Sequence, residues 1–316
     1  MKRSILAVAL AWTSFQAAAS AAATPCGVAS ILMWGTTGTG PGQFVQPFGI
    51  SIPGDGLVYV TDQQNERVQV FNEFGVFVRQ WTIPPGPSGF AHPTGICVSN
   101  GVVWVSSHQG HQVSRWSTTG TFLGLAASPP SGWSLPTDIA VTPTGNILVC
   151  DSGHNRVVNL TPGGTYFSQF ATASMPYGIS VHPNGRIYVG SYGGSVVQRF
   201  SSLGLNELNF GTFGSGPGQF MSAEGIAIDG VGGHLYVCDT GNDRVQRFNT
   251  SGVYQCEFGG TGTLPNKMDV PSDIAIGSEG DLFVVEYLNN RIQRFSDHGP
   301  TPARSTSWGR IKAIYR

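Results

Sequence analysis

Three markers recur in register six times along this chain, and that recurrence leaves few folds open. Short β-type runs open near Gly49, Gly95, Asp138, Gly178, Gly225 and Asp273, at steps of 46, 43, 40, 47 and 48 residues. A later run in each unit ends on Phe71, Trp116, Leu160, Phe200, Phe248 or Phe295, and a turn glycine follows at Gly75, Gly120, Gly164, Gly204, Gly252 or Gly299. The stretch from Phe210 to Gly252 is the clearest copy. Its runs at 225–228, 234–238 and 244–248, with a fourth at 253–258, are rich in β-branched and aromatic residues and bounded by Gly, Asp or Asn, which marks strands and turns. Four strands per repeat of 40 to 50 residues predict a β-propeller, here all-β with six blades of four antiparallel strands. A lone blade exposes two apolar faces, and radial stacking buries them. The 44 glycines and 20 prolines supply the turns, while 40% hydrophobic content supplies the core.

The ends need separate treatment. Lys2 and Arg3 precede an apolar run, Ile5 to Trp12, and small residues fill Ala17 to Ala23. That pattern predicts a cleaved signal peptide over 1–23 and a secreted or periplasmic protein, with a propeller over 28–316. No later stretch is apolar enough to span a membrane. In the sixth unit, Pro300 and Pro302 interrupt the expected fourth strand, and proline removes a ladder donor. The N-terminal run Val28 to Trp34 is therefore expected to close the ring, with Arg304 to Trp308 as the rival. Five cysteines leave at least one unpaired. Cys150 and Cys238 sit at one repeat position, which favours buried free thiols over a single disulfide as the first reading.

The repeats resemble the NHL family, whose motif runs through a PGQF-like loop, a P-x-G-I-A strand and a Y-V-x-D-x-x-N-x-R-V-Q-x-F hairpin. Here stand Pro41-Gly42-Gln43-Phe44 and Pro217-Gly218-Gln219-Phe220, and Tyr59-Val60-Thr61-Asp62 followed by Asn65, Arg67, Val68, Gln69 and Phe71. The resemblance implies the propeller but no one activity, because the fold hosts many. Peptide-amidating lyases of NHL type carry zinc on histidines near the channel mouth. This chain has Phe48, Thr94, Thr137, Tyr177, Glu224 and Ser272 at the comparable positions. Lactonase-like propellers set Glu, Asn and Asp around a divalent ion, a role that Glu224, Asp138 and Asp273 leave open.

An acid and an arginine stand five apart in four repeats: Asp62/Arg67, Asp151/Arg156, Asp239/Arg244 and Glu286/Arg291. Fourfold copying points to structural pairs that hold a turn. Ser107/Gln112 and Ser191/Val196 replace them in the other two repeats. Three loop histidines, His108, His111 and His154, offer nitrogen ligands for zinc or copper on adjacent blades. Asp138 and Asp273 lie three blades apart. Facing each other across the axis, they would hold a cation, act as acid and base, or satisfy backbone donors.

The expected working face is the channel mouth, with ligand contacts from Phe48, Thr94, Thr137, Asp138, Tyr177, Glu224 and Asp273. Tyr192 lies further out, and Trp81 and Trp133 sit beside or within the longer entering loops. Aromatic and small polar groups there suit a peptide, glycan or protein ligand. A net charge of -1 without a basic patch speaks against nucleic acid. The reading is thus an exported, monomeric binding propeller. The alternative is a metal-dependent lyase or lactonase-like hydrolase using the same mouth, with a divalent ion as the only cofactor foreseen.

Overall fold

The computed structural model describes residues 25–296. The expected signal peptide and the run from Gly299 through Trp308, with its two prolines, lie outside the described residues. Six four-stranded antiparallel sheets form a six-bladed β-propeller. Blade one runs through Pro47–Ser51, Leu57–Asp62, Arg67–Asn72 and Phe77–Thr82. Blade five, the clearest copy in the sequence, runs through Ala223–Asp229, His234–Asp239, Arg244–Asn249 and Tyr254–Gly259.

Blade six takes its fourth strand from the other end of the chain. Ala29–Trp34 pairs antiparallel with Arg291–Ser296, from Ala29 opposite Ser296 to Trp34 opposite Ile292. Pro25 bridges Glu257 on the outer strand of blade five, and Cys26 is disulfide-bonded to Cys256 there, 230 residues away in sequence. The N-terminal segment therefore stitches two blades together. The second reading of the cysteines applies to this pair, whereas Cys97, Cys150 and Cys238 are buried free thiols.

The core lies between blades. Tyr59, Val68 and Val70 of blade one pack against Ile96, Val103, Val105 and Trp116 of blade two, and the other five interfaces repeat the arrangement. The turn glycines read from the sequence serve this stacking. A Cβ on Gly75 would lie 2.8 Å from the Trp34 ring, one on Gly204 2.6 Å from Phe170 and one on Gly252 2.7 Å from Phe210. Each turn thus takes the outer-strand aromatic of the preceding blade, and its positive φ suits glycine a second time.

The acid–arginine pairs clamp the entering loops of four of the blades. Arg67 Nε donates to Asp62 Oδ2 at 2.7 Å and its Nη2 donates to the carbonyls of Gly40 and Gln43, while Asp62 Oδ1 accepts from Val45 N at 2.9 Å. Arg244 repeats the set with Asp239, Gly216 and Gln219. Arg156 pairs with Asp151, and Arg291 with Glu286.

Candidate functional site at the channel mouth

Every inner strand opens on one pattern. Five begin with proline and one with Ala223, and the register with the second strand slips before Ile50, Ile96, Ile139, Ile179, Ile226 or Asp273. Proline is tolerated there because the first position of a strand need not donate. The slip is a bulge, and it re-aims the residue after the proline. Those residues are Phe48, Thr94, Thr137, Tyr177, Glu224 and Ser272.

The bulged backbones crowd the axis. A Cβ on Gly49 would lie 2.2 Å from Thr94 O, on Gly95 2.3 Å from Thr137 O, and on Gly178 2.0 Å from Glu224 O. Glycine is required at those points by close approach. A Cβ on Gly225 would likewise lie 2.4 Å from Asp273 Cα, and Asp138 and Asp273 occupy the equivalent place in the remaining two blades. Each carboxylate staples a neighbour: Asp138 Oδ2 accepts from Ile179 N at 2.9 Å and Asp273 Oδ2 from Ile50 N at 2.9 Å. Their second oxygens accept from Ile139 N and Ile274 N. Burial pushes Asp138 up to about 7 and lifts Asp273 well above the carboxylate range, the nearby Asp138 adding to the second shift. The waist between them holds a cavity of about 10 Å³, room for roughly one water.

Above the waist the mouth is a cup of about 310 Å³, lined by Phe48, Tyr177, Glu224 and Tyr287 together with Gln63, Gln64, His92, His108, Gln109 and Val270. Phe48 and Tyr177, from blades three apart, meet at 5.7 Å between ring centroids and close the axis beneath it. Tyr287 stands edge-on to Phe48 at 6.0 Å and 83°, and Tyr192 backs Tyr177 at 5.4 Å. The larger cleft of about 720 Å³ between blades five and six is walled by the Arg244–Glu257 ion pair and Lys267. The cup is the candidate site because titratable groups with shifted protonation converge in a concave aromatic setting.

Glu224 is only 5% exposed. Burial raises its carboxyl to about 8, and its one identified polar neighbour is the Thr240 hydroxyl. That hydroxyl gives its single proton to Pro271 O at 2.8 Å. Toward Glu224 it therefore offers lone pairs, which suits a protonated carboxyl that donates. In the same cup, burial lowers His108 to about 4, with His111 and His92 adding to the effect. Burial also raises the Tyr177 and Tyr287 phenols. At neutral pH the cup is lined by a carboxylic acid, the neutral imidazole of His108 and neutral phenols. Among the described residues no lysine or arginine lines it.

Of the ligand residues expected from the sequence, Phe48, Tyr177 and Glu224 line this cup. Thr94 and Thr137 are fully buried. Thr94 Oγ1 donates to Pro136 O at 3.3 Å, and Thr137 Oγ1 donates to Pro176 O at 3.1 Å. Ser272 Oγ donates to Phe48 O at 2.8 Å. These hydroxyls join blades, as Asp138 and Asp273 do, because short side chains beside a bulge reach the next strand's backbone before they reach the mouth.

The three histidines have separate engagements. His111 Nδ1 accepts from Leu135 N at 3.2 Å, His154 Nδ1 sits 2.9 Å from Asp151 Oδ2, and His108 lines the cup. Among the described residues no group of three or more His, Cys, Asp or Glu side chains is arranged to hold a metal ion. The geometry thus does not assemble the expected metal set. Trp81 packs on Gly120 and Trp116, and Trp133 is buried in the interface of blades two and three, so neither reaches the mouth. Sequence reasoning missed His92, Gln63 and Tyr287. Gln63 and Tyr287 directly follow the repeated acids Asp62 and Glu286, and that shared position was the available signal.

Two segments, residues 134–158 and 220–248, match the NHL repeat. The human NHL repeat-containing protein 3 is 25% identical over 175 residues, and the mouse protein of that name 26% over 175. The chain carries NHL repeats. The matched region covers 46% of this chain and 49% of the human relative, so the chain spans about half the length of the curated relatives it matches. Solved propellers share the shape of this NHL-repeat chain. A gluconolactonase from Xanthomonas campestris superposes with a TM-score of 0.64 at 16% identity, over 87% of this chain and 99% of that one. A catalytically inactive virginiamycin B lyase from Staphylococcus aureus, solved with quinupristin, superposes with a TM-score of 0.58 at 17% identity over 82% of each chain. At these identities the likeness concerns the fold alone. Among the described residues no helix is long and apolar enough to cross a membrane.

Proposed function

We propose that this NHL-repeat protein is an exported, monomeric binding propeller that takes a peptide, glycan or protein group into the cup at its channel mouth. One observation carries the reading. A buried carboxyl, Glu224, stands in a cup walled by Phe48, Tyr177 and Tyr287, and aromatic walls with few convergent polar groups are how small ligand groups are held and oriented. The Cys26–Cys256 disulfide supports the exported location, since such bonds persist in oxidising compartments.

A second reading, an enzyme at the same mouth, rests on a different observation. A carboxyl held protonated and an imidazole held neutral share one cup, and opposed environments of that kind sort general acids from general bases. A divalent ion on Asp138, Asp273 and Glu224 does not fit. All four aspartate oxygens accept backbone N–H groups below the closed floor of the cup, so no step is routed through a metal. A screen of purified protein against glycan and peptide arrays tests the first reading. Affinity should fall at least tenfold in Tyr177→Ala and in Glu224→Gln. Undiminished binding in both folded variants would move the site away from the mouth, and ligand turnover that stops in His108→Ala would favour the second reading.

A further inference from the structure

Glu224 is a carboxyl buried without a cation. Among the described residues no arginine or lysine pairs with it, in contrast to Asp62, Asp151, Asp239 and Glu286, each of which has its own arginine. A buried acid in that position either stays protonated or acquires a cation from outside. The walls favour the second when a suitable ligand arrives. Phe48 and Tyr287 are nearly perpendicular, and Phe48 and Tyr177 are inclined by 57°. All three rings line the cup, and ring faces attract ammonium groups. The imidazole of His108 carries no charge that would repel a cation at neutral pH, since it ionises only near 4.

We infer that the cup receives the ammonium end of an organic cation, with Glu224 as its counterion and Phe48, Tyr177 and Tyr287 as its walls. The inference rests on the mouth being the binding site and deepens that reading by naming the ligand's chemistry. A lysine side chain of a peptide and a free quaternary amine share this chemistry.

Binding is then linked to protonation. The groups that interact with Glu224 are Tyr177 of blade four, Tyr287 and Asp273 of blade six and Cys238 of its own blade, and His92 and His108 line the same cup. The phenols and the thiol are pushed upward and stay neutral through pH 8, and Asp273 is itself raised. Glu224 is therefore the group that loses its proton when a cation enters. Below its value of about 8 the free cup is protonated, so affinity rises as pH rises toward 8 and then levels, with one proton released per cation bound below that point.

The test is calorimetric titration at pH 6, 7 and 8.5 with choline, with its uncharged isostere 3,3-dimethylbutanol, with n-butylamine, and with short peptides carrying lysine or trimethyllysine. At least one ammonium probe should bind tenfold or more tightly than the uncharged isostere, with affinity rising about tenfold from pH 6 to 7. Choline binding alone assigns a free quaternary amine, and peptide binding alone a lysine side chain. Glu224→Gln keeps the shape and should abolish both the charge preference and the pH dependence. Tyr287→Leu should weaken binding while leaving the pH dependence in place. Equal binding of choline and its isostere, or a pH-independent affinity, or no binding of any ammonium probe at millimolar concentration, would overturn the inference. If neutral array ligands still bind and lose affinity in Tyr177→Ala, the ammonium claim alone has failed. If every ligand is indifferent to both cup variants, the mouth itself is not the site.

Discussion

Glu224 and Arg244 belong to one blade and stand in opposite relations to charge. Arg244 is 7% exposed, bonded to Asp239 and Glu257 and to two loop carbonyls. Removing it strands a buried carboxylate. Arg244→Ala should therefore lower unfolding free energy by about 2–4 kcal/mol, read by urea denaturation, and a loss under about 0.5 kcal/mol, the range of an inert surface change, would deny it the clamp role. These pairs were legible because fourfold copying at one spacing shows in the sequence alone. The residue just before each third strand was not. Glu66, His111, Asn155, Ser195, Asp243 and Asn290 all adopt positive φ. All but Ser195 accept an N–H from the next blade's entering loop, as His111 does from Leu135 and Asn290 from Gln46. Their shared property is an acceptor atom on dissimilar side chains, and the partner lies a blade away. His111 looked like a metal ligand for that reason.

At the scale of the strand, the terminal segment matters most. Ala29–Trp34 completes blade six, and Trp34 fills the seam with blade one, its ring 6.0 Å from Phe71 and 6.1 Å from Phe283. The interrupting prolines and the PGQF loop made that closure readable before any geometry. The Cys26–Cys256 bond was not readable, because repeat position singled out Cys150 and Cys238 and said nothing of a cysteine outside the repeats. Deleting residues 25–34 should remove both the strand and the disulfide. The deletion variant should melt at least 10 °C lower or without a sharp transition, while Cys26→Ala with Cys256→Ala, which keeps the strand, should fall between it and the intact chain. An unchanged melting curve on deletion would show that the ring closes without this segment.

The whole molecule is a ring sealed at its axis. Glycine at four inner-strand positions draws the blades together, Asp138 and Asp273 staple their neighbours, and Phe48 with Tyr177 floors the cup. The second residue of each inner strand was recognisable as a mouth position from its place after the proline. Which of the six face the cup was decided by reach, since Thr94, Thr137 and Ser272 satisfy themselves on neighbouring strands while Phe48, Tyr177 and Glu224 extend to the mouth. The account depends on Glu224 being neutral in the resting protein, and carbon-detected NMR titration of the side-chain carboxyls, with Glu224 assigned by its loss in Glu224→Gln, measures that directly. The account predicts a resonance with a midpoint near the value of about 8. Glu224 with its ordinary midpoint near 4.5 would contradict it.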